Sequence, residues 1–79
     1  MYWVYVLKND KNRLYIGYTG RLAIRFADHN NGRSYWTSRS KNWHIVYYEI
    51  FKTRSEAMIR EKELKSGKGR DELRRKSII

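Results

Sequence analysis

The chain opens on a nearly continuous apolar run from Tyr2 to Leu7, and its aromatic and β-branched residues predict a strand. Lys8 to Arg13 is polar and carries Asn9, Asp10 and Asn12, residues that favour turns. Leu14 to Tyr18 resumes the apolar pattern as a second strand, interrupted by Gly17 and then Gly20. The period then lengthens. Arg21 to Asn30 has helical spacing, with Thr19 as candidate N-cap. Asn30-Asn31-Gly32 provides a stop that tolerates positive φ. A polar, basic loop from Arg33 to Asn42 precedes a third strand, Trp43 to Phe51. Thr53 to Lys65 predicts a second helix, capped by Thr53 or Ser55. Ser66 to Gly69 reads as a break, and Arg70 to Ser77 as a short last helix before Ile78 and Ile79.

The order β-β-α-β-α-α predicts an α+β domain, a three-stranded mixed or antiparallel sheet flanked by helices. Seventy-nine residues suffice for a single such domain, 1–79, and no linker, repeat or low-complexity tract divides them. No run approaches the roughly 18 apolar residues of a membrane span. Met1 leads into MYWVYVL without the basic segment of a signal peptide. These features predict a cytoplasmic protein with no membrane partner. The absence of cysteine excludes disulfides and thiolate metal sites.

Charge changes the picture most. Lys and Arg number 18 against 8 Asp and Glu, a net +10. So basic a domain attracts polyanions, and its aromatic content adds surfaces on which bases stack. Nucleic acid is the expected partner.

Two helical stripes carry polar groups where apolar ones belong. In the first helix Leu22, Arg25, Phe26 and His29 share one face. In the second, Ala57, Met58, Glu61, Leu64 and Lys65 follow the same spacing. Half-buried charges cost several kcal/mol unless paired. The alternatives are one Arg25–Glu61 salt bridge at the core margin or a shared polar cleft. For the hairpin, a short turn predicts Leu7 opposite Arg13, hence Tyr5 opposite Tyr15 and Trp3 opposite Gly17. That register sets two phenols on one face of the sheet.

An arginine, a histidine, a glutamate and two tyrosines on a basic domain fit phosphodiester hydrolysis. Arginine neutralises charge on a pentavalent phosphate. A lone carboxylate suits one weakly held Mg²⁺ or Mn²⁺ that keeps most of its waters. A tyrosine whose pKa is lowered by nearby cations serves in proton transfer.

These residues stand in a known order. The sequence resembles the GIY-YIG nuclease superfamily, and is most similar to its small stand-alone members and to the N-terminal nuclease domain of the bacterial excision-repair incision protein. Trp3-Val4-Tyr5 matches the first signature and Tyr15-Ile16-Gly17 the second. Arg25 and His29 match the helix pattern, and Glu61 the metal-binding glutamate. The resemblance covers Tyr2 to at least Lys65. It implies a metal-dependent DNA endonuclease of repair or recombination, with Tyr5, Tyr15, Arg25, His29 and Glu61 as catalytic residues. Two departures stand out: Trp3 replaces the first glycine, and Tyr18 occupies the place of the lysine that follows YIG in the excision-repair domains.

The surface supplies further candidate contacts to DNA or RNA. Arg33, Tyr35, Arg39 and Lys41 interleave bases and aromatics in one loop. Arg21, Asn30, Lys65, Lys68 and Arg70 complete the set, the SGKG segment offering backbone amides to a single phosphate. Two other readings remain: a nucleic-acid-binding or adaptor module on the same fold, and a basic structural protein. With so little surface for reading bases, a protein partner that supplies specificity is also expected.

Overall fold

A computed structural model describes residues 1–31 and 42–79. Its elements are β1 (Tyr2–Lys8), β2 (Leu14–Thr19), α1 (Leu22–Asn30), β3 (His44–Phe51), α2 (Arg54–Lys65) and α3 (Gly67–Arg75). The sheet order is β2-β1-β3, with β1 antiparallel to both neighbours. Of the two sheet types expected, the antiparallel one forms.

Strand β1 is central, and its two faces serve different layers. Val4 and Val6 are fully buried with Ile16 against Ala57 and Leu64 of α2 and Leu73 of α3. Tyr5 and Leu7 point the other way, into a smaller cluster with Trp43, Tyr15, Leu22 and Phe26. Helix α1 thus covers one face, and α2 and α3 cover the other.

The hairpin register differs from the expected one by two residues. Lys8 pairs with Leu14, Tyr5 with Gly17 and Trp3 with Thr19. Asn9 is the cause. Its Oδ1 accepts the N–H groups of Lys11 (3.0 Å) and Arg13 (2.8 Å), and its own N–H donates to Arg13 O. Asn12 takes the left-handed φ of 62° that closes this tight loop. A two-residue slip preserves the faces, so Tyr5 and Tyr15 still share a side.

Element ends move for local reasons. Helix α1 begins at Leu22, with Arg21 at the N-cap; Thr19 instead accepts the Arg21 N–H at 3.0 Å. Its C-cap, Asn31, has an ordinary φ of −92°. Thr53 caps α2 by accepting from the Glu56 N–H. The expected break at Ser66 to Gly69 narrows to Ser66, which is extended, ends α2 and caps α3, accepting the Gly69 N–H at 3.2 Å. Gly69 is buried where α3 meets α2, and a Cβ there would stand 2.0 Å from Glu63 O and 2.5 Å from Leu64 Cα. That glycine serves close packing, and its N–H in the SGKG segment is taken by the Ser66 hydroxyl.

The inward stripe of α2 is Ala57, Arg60, Glu61 and Leu64, whereas Met58 and Lys65 are exposed. Arg60 joins three elements. It donates to Glu49 of β3 (2.8 and 2.9 Å) and to Glu72 of α3 (2.5 Å), and contacts Glu63 at 3.2 Å. The chain end folds back through a Schellman turn. Ile78 N–H donates to Leu73 O and Ser77 N–H to Arg74 O, with Ser77 at φ 58°. Ile78 and Ile79 thereby pack on the core.

Candidate active site

The site grows from the face of β1 that carries Tyr5. Its ladder partner is Gly17, and a Cβ at Gly17 would lie 2.9 Å from Tyr5 Oη and 2.9 Å from a Tyr15 ring carbon. The missing side chain is what admits both phenols. Their ring centroids are 6.1 Å apart. The last turn of α1 then lowers His29 onto them. The imidazole is fully buried, 4.6 Å from the Tyr15 centroid and 5.7 Å from that of Tyr5. Tyr5 Oη lies 2.8 Å from His29 Nε2. Arg25, one turn earlier, lies close enough to both phenols for them to raise its pKa.

Protonation states follow from burial and from Arg25. Burial pushes the His29 pKa down, the Arg25 charge pushes further, and Asp28 opposes them weakly, leaving it at about 4. A histidine in the last turn of a helix is ordinarily favoured as the cation; here burial prevails. The Tyr5 phenol is pushed well up by burial and by Tyr15, and the opposing pull of Arg25 is smaller. Burial alone would lower the Arg25 pKa, but the two phenols outweigh it and raise it.

This corrects the expectation of a tyrosine activated by nearby cations. Tyr5 is a neutral phenol and His29 a neutral imidazole at pH 7. The hydroxyl of Tyr5 and Nε2 of His29 share a 2.8 Å hydrogen bond, and with Tyr5 as its donor the imidazole proton lies on Nδ1. Tyr15, half-buried beside Tyr5, is the more accessible hydroxyl.

Glu61 belongs to the layer on the other face of the sheet. Its carboxylate is 3.3 Å from Lys65 Nζ, so the expected alternative of an Arg25–Glu61 salt bridge is not the pairing that forms. No group of three or more His, Asp or Glu side chains gathers to hold a metal among the described residues. A lone carboxylate fits a hard cation that retains its water and gains ligands from substrate.

The other sequence candidates divide. Asn30 is a structural clasp: its Oδ1 accepts the Trp43 N–H (2.8 Å) and its Nδ2 donates to Trp43 O (3.1 Å). Both polar ends are thereby occupied, which argues against the expected nucleic-acid contact. Arg21, Lys68 and Arg70 are exposed, and Lys65 is exposed but paired with Glu61. Arg33, Tyr35, Arg39 and Lys41 lie outside the described residues. A groove of about 570 Å³ runs along α1, lined by Trp3, Leu22, Ile24, Phe26 and Ile45 among others, and it is apolar.

The sequence of the GIY-YIG catalytic domain matches residues 1–75. The chain belongs to the GIY-YIG family. GIY-YIG domains are nuclease domains that generally depend on a divalent metal. A UPF0213 protein of Staphylococcus haemolyticus is 41% identical over 66 residues, covering 82% of this chain and 80% of that protein. A UPF0213 protein of Staphylococcus aureus is 35% identical over 74 residues, covering 92% and 90%. The solution NMR structure of a UPF0213 protein from Bacillus halodurans superposes with a TM-score of 0.56 at 28% identity, over 92% of this chain and 82% of that one. The chain is thus similar to small GIY-YIG proteins along nearly their whole length.

Two features of this GIY-YIG domain escaped sequence reasoning. Arg60 was missed although its place three residues after Ala57, on the buried stripe, was a signal that could have found it. The pairing of Tyr18 with Arg54 spans 36 residues and left no local signal.

Proposed function

We propose that this protein is a metal-dependent endonuclease of the cytoplasm that hydrolyses phosphodiester bonds in DNA, in repair or recombination. The observation that carries this reading is the convergence of Tyr5, Tyr15, Arg25 and His29 over Gly17.

Arg25 receives the scissile phosphate and opposes the charge that develops on it in the transition state. Tyr15 orients the attacking water by hydrogen bonding. Tyr5 is locked to His29, so it holds Tyr15 and Arg25 in place. Glu61 would hold a single Mg²⁺ or Mn²⁺ from the α2 layer, and the ion would supply a counter-charge to substrate phosphate there.

Cleavage of plasmid, branched and single-stranded DNA with Mg²⁺ or Mn²⁺ tests the proposal. Chelation, Arg25→Ala and Glu61→Gln should each abolish cutting. If no substrate is cut, or if Glu61→Gln cuts as well as wild type, the reading fails.

One observation favours a second reading, a binding or adaptor module on the same fold. Burial and Tyr15 hold Tyr5 neutral, so it is no ready proton acceptor. That module would bind DNA or RNA with steep salt dependence and show no turnover.

A further inference from the structure

Most of the partnered cations in this protein are neutralised by carboxylates. Arg60 is taken by Glu49 and Glu72, Arg74 by Asp71, Lys65 by Glu61 and Lys76 by Glu72. Arg25 and Arg54 differ. Each is held by tyrosine, and neither has a carboxylate partner among the described residues. Arg25 lies beside Tyr5 and Tyr15. Arg54 donates to Tyr18 Oη from Nη2 at 3.2 Å and from Nε at 3.4 Å, with its guanidinium carbon 5.9 Å from the ring centroid.

These two phenol-held arginines flank one strand. Tyr15 and Tyr18 are three residues apart on β2, so their side chains leave opposite faces. Tyr15 joins the α1 side and Tyr18 the α2 side. Strand β2 is an edge of the sheet, with β1 its only strand neighbour among the described residues.

The position of Arg54 also runs against local preference. It is the first residue of α2, where a cation opposes the helix macrodipole. The carboxylate in the same turn, Glu56, does not compensate it, because Glu56 accepts from Thr53 Oγ1 at 2.9 Å. The phenol is a neutral anchor. It fixes the direction of the guanidinium, leaves its charge intact and leaves Nη1 available as a donor. Such a group suits a phosphate oxygen.

We propose that Arg54, oriented by Tyr18, is a second phosphate-binding residue, and that a nucleic-acid backbone crosses edge strand β2 with Arg25 on one side and Arg54 on the other. This deepens the nuclease reading above and rests on it for the role of Arg25.

The test is equilibrium binding of a labelled DNA duplex, followed by fluorescence anisotropy between about 50 and 200 mM salt with divalent ions removed. Arg54→Gln should weaken binding several-fold and reduce the slope of log K against log salt by about one. Tyr18→Phe keeps the charge and loses the anchor, so affinity should fall while the slope stays. Arg74→Gln removes the same charge from an arginine already paired with Asp71 and should leave the slope as in wild type. Thermal melts of all variants check folding. A wild-type slope in Arg54→Gln, or an equal loss in Arg74→Gln, overturns the proposal. Binding does not require turnover, so a protein that fails to cut but loses slope in Arg54→Gln sinks only the nuclease reading. A wild-type protein that cuts while Arg54→Gln keeps its slope sinks only this one. Failure of wild type to bind DNA defeats both.

Discussion

Tyr5 Oη and His29 Nε2 stand 2.8 Å apart, and the two residues are 1% and 0% exposed. The bond joins the central strand to the end of α1, and with Tyr5 as its donor the imidazole proton sits on Nδ1. ¹⁵N NMR of the histidines should show His29 as the neutral Nδ1–H tautomer at pH 7. Tyr5→Phe should lower stability by about 1–3 kcal/mol, the cost of leaving a buried acceptor without its donor. An Nε2–H tautomer, or a Tyr5→Phe melt equal to wild type, would contradict this assignment.

The lowered His29 pKa makes a statement about acid. In the unfolded chain the imidazole titrates near 6.5, and in the folded one at about 4. The unfolded state therefore binds more protons between those values, and stability falls as the pH drops through that window. The contribution is complete above pH 6.5 and amounts to about 3 kcal/mol, on the scale of 1.36 kcal/mol per pKa unit. Denaturant titrations from pH 7 to pH 4 should show this slope, and His29→Gln should flatten it. Any remaining acid sensitivity belongs lower down, where Arg60 and Lys76 hold the Glu72 carboxyl at about 2. Its stabilisation is present above the ordinary carboxylate pKa and disappears as the pH falls through about 2.

Gly17→Ala should damage the site more than the fold. The added methyl meets side-chain atoms only, the Tyr5 hydroxyl and the Tyr15 ring, both at 2.9 Å. The phenols must shift, at a cost of about 1–3 kcal/mol for overpacking. In the nuclease reading the cleavage rate should fall at least tenfold with the melting transition still cooperative. Full activity in Gly17→Ala would show that the phenol positions do not matter.

Gly69→Ala should act in the opposite sense, on the fold first. Its methyl meets the α2 backbone at 2.0 and 2.5 Å, where nothing flexible can yield. Soluble yield and melting temperature should drop sharply. Ser77→Gly is the stabilising counterpart, since Ser77 holds φ 58° at the Schellman turn. Glycine there relieves about 1 kcal/mol of left-handed strain. Thermal melts of both variants decide the matter.

The fold was legible because period and punctuation agreed. The strand runs around Val4 and Val6, the turn residues Asn9 and Asn12, and the cap at Thr53 each act within a few residues of themselves. Four of the five site residues were legible for a similar reason. Arg25 and His29 interrupt an apolar stripe beside Leu22 and Phe26, and the two tyrosines keep their common face despite the slipped register. What stayed hidden depends on contacts distant in sequence. The protonation of Tyr5 depends on how deeply α1 buries it. The register depends on an Asn9 side chain that spacing rules treat as generic turn polarity. The SGKG segment resembles a loop until Gly69 is seen to be the place where two helices touch.

The Asn30 clasp on Trp43 has a consequence for chain length. It joins the chain immediately before residue 31 to the chain immediately after residue 42, with two hydrogen bonds at one point. Loop length changes cost little when the ends are fixed elsewhere. A change of length between residues 31 and 42 should therefore cost little and leave Tyr5, Tyr15, Arg25 and His29 in their places.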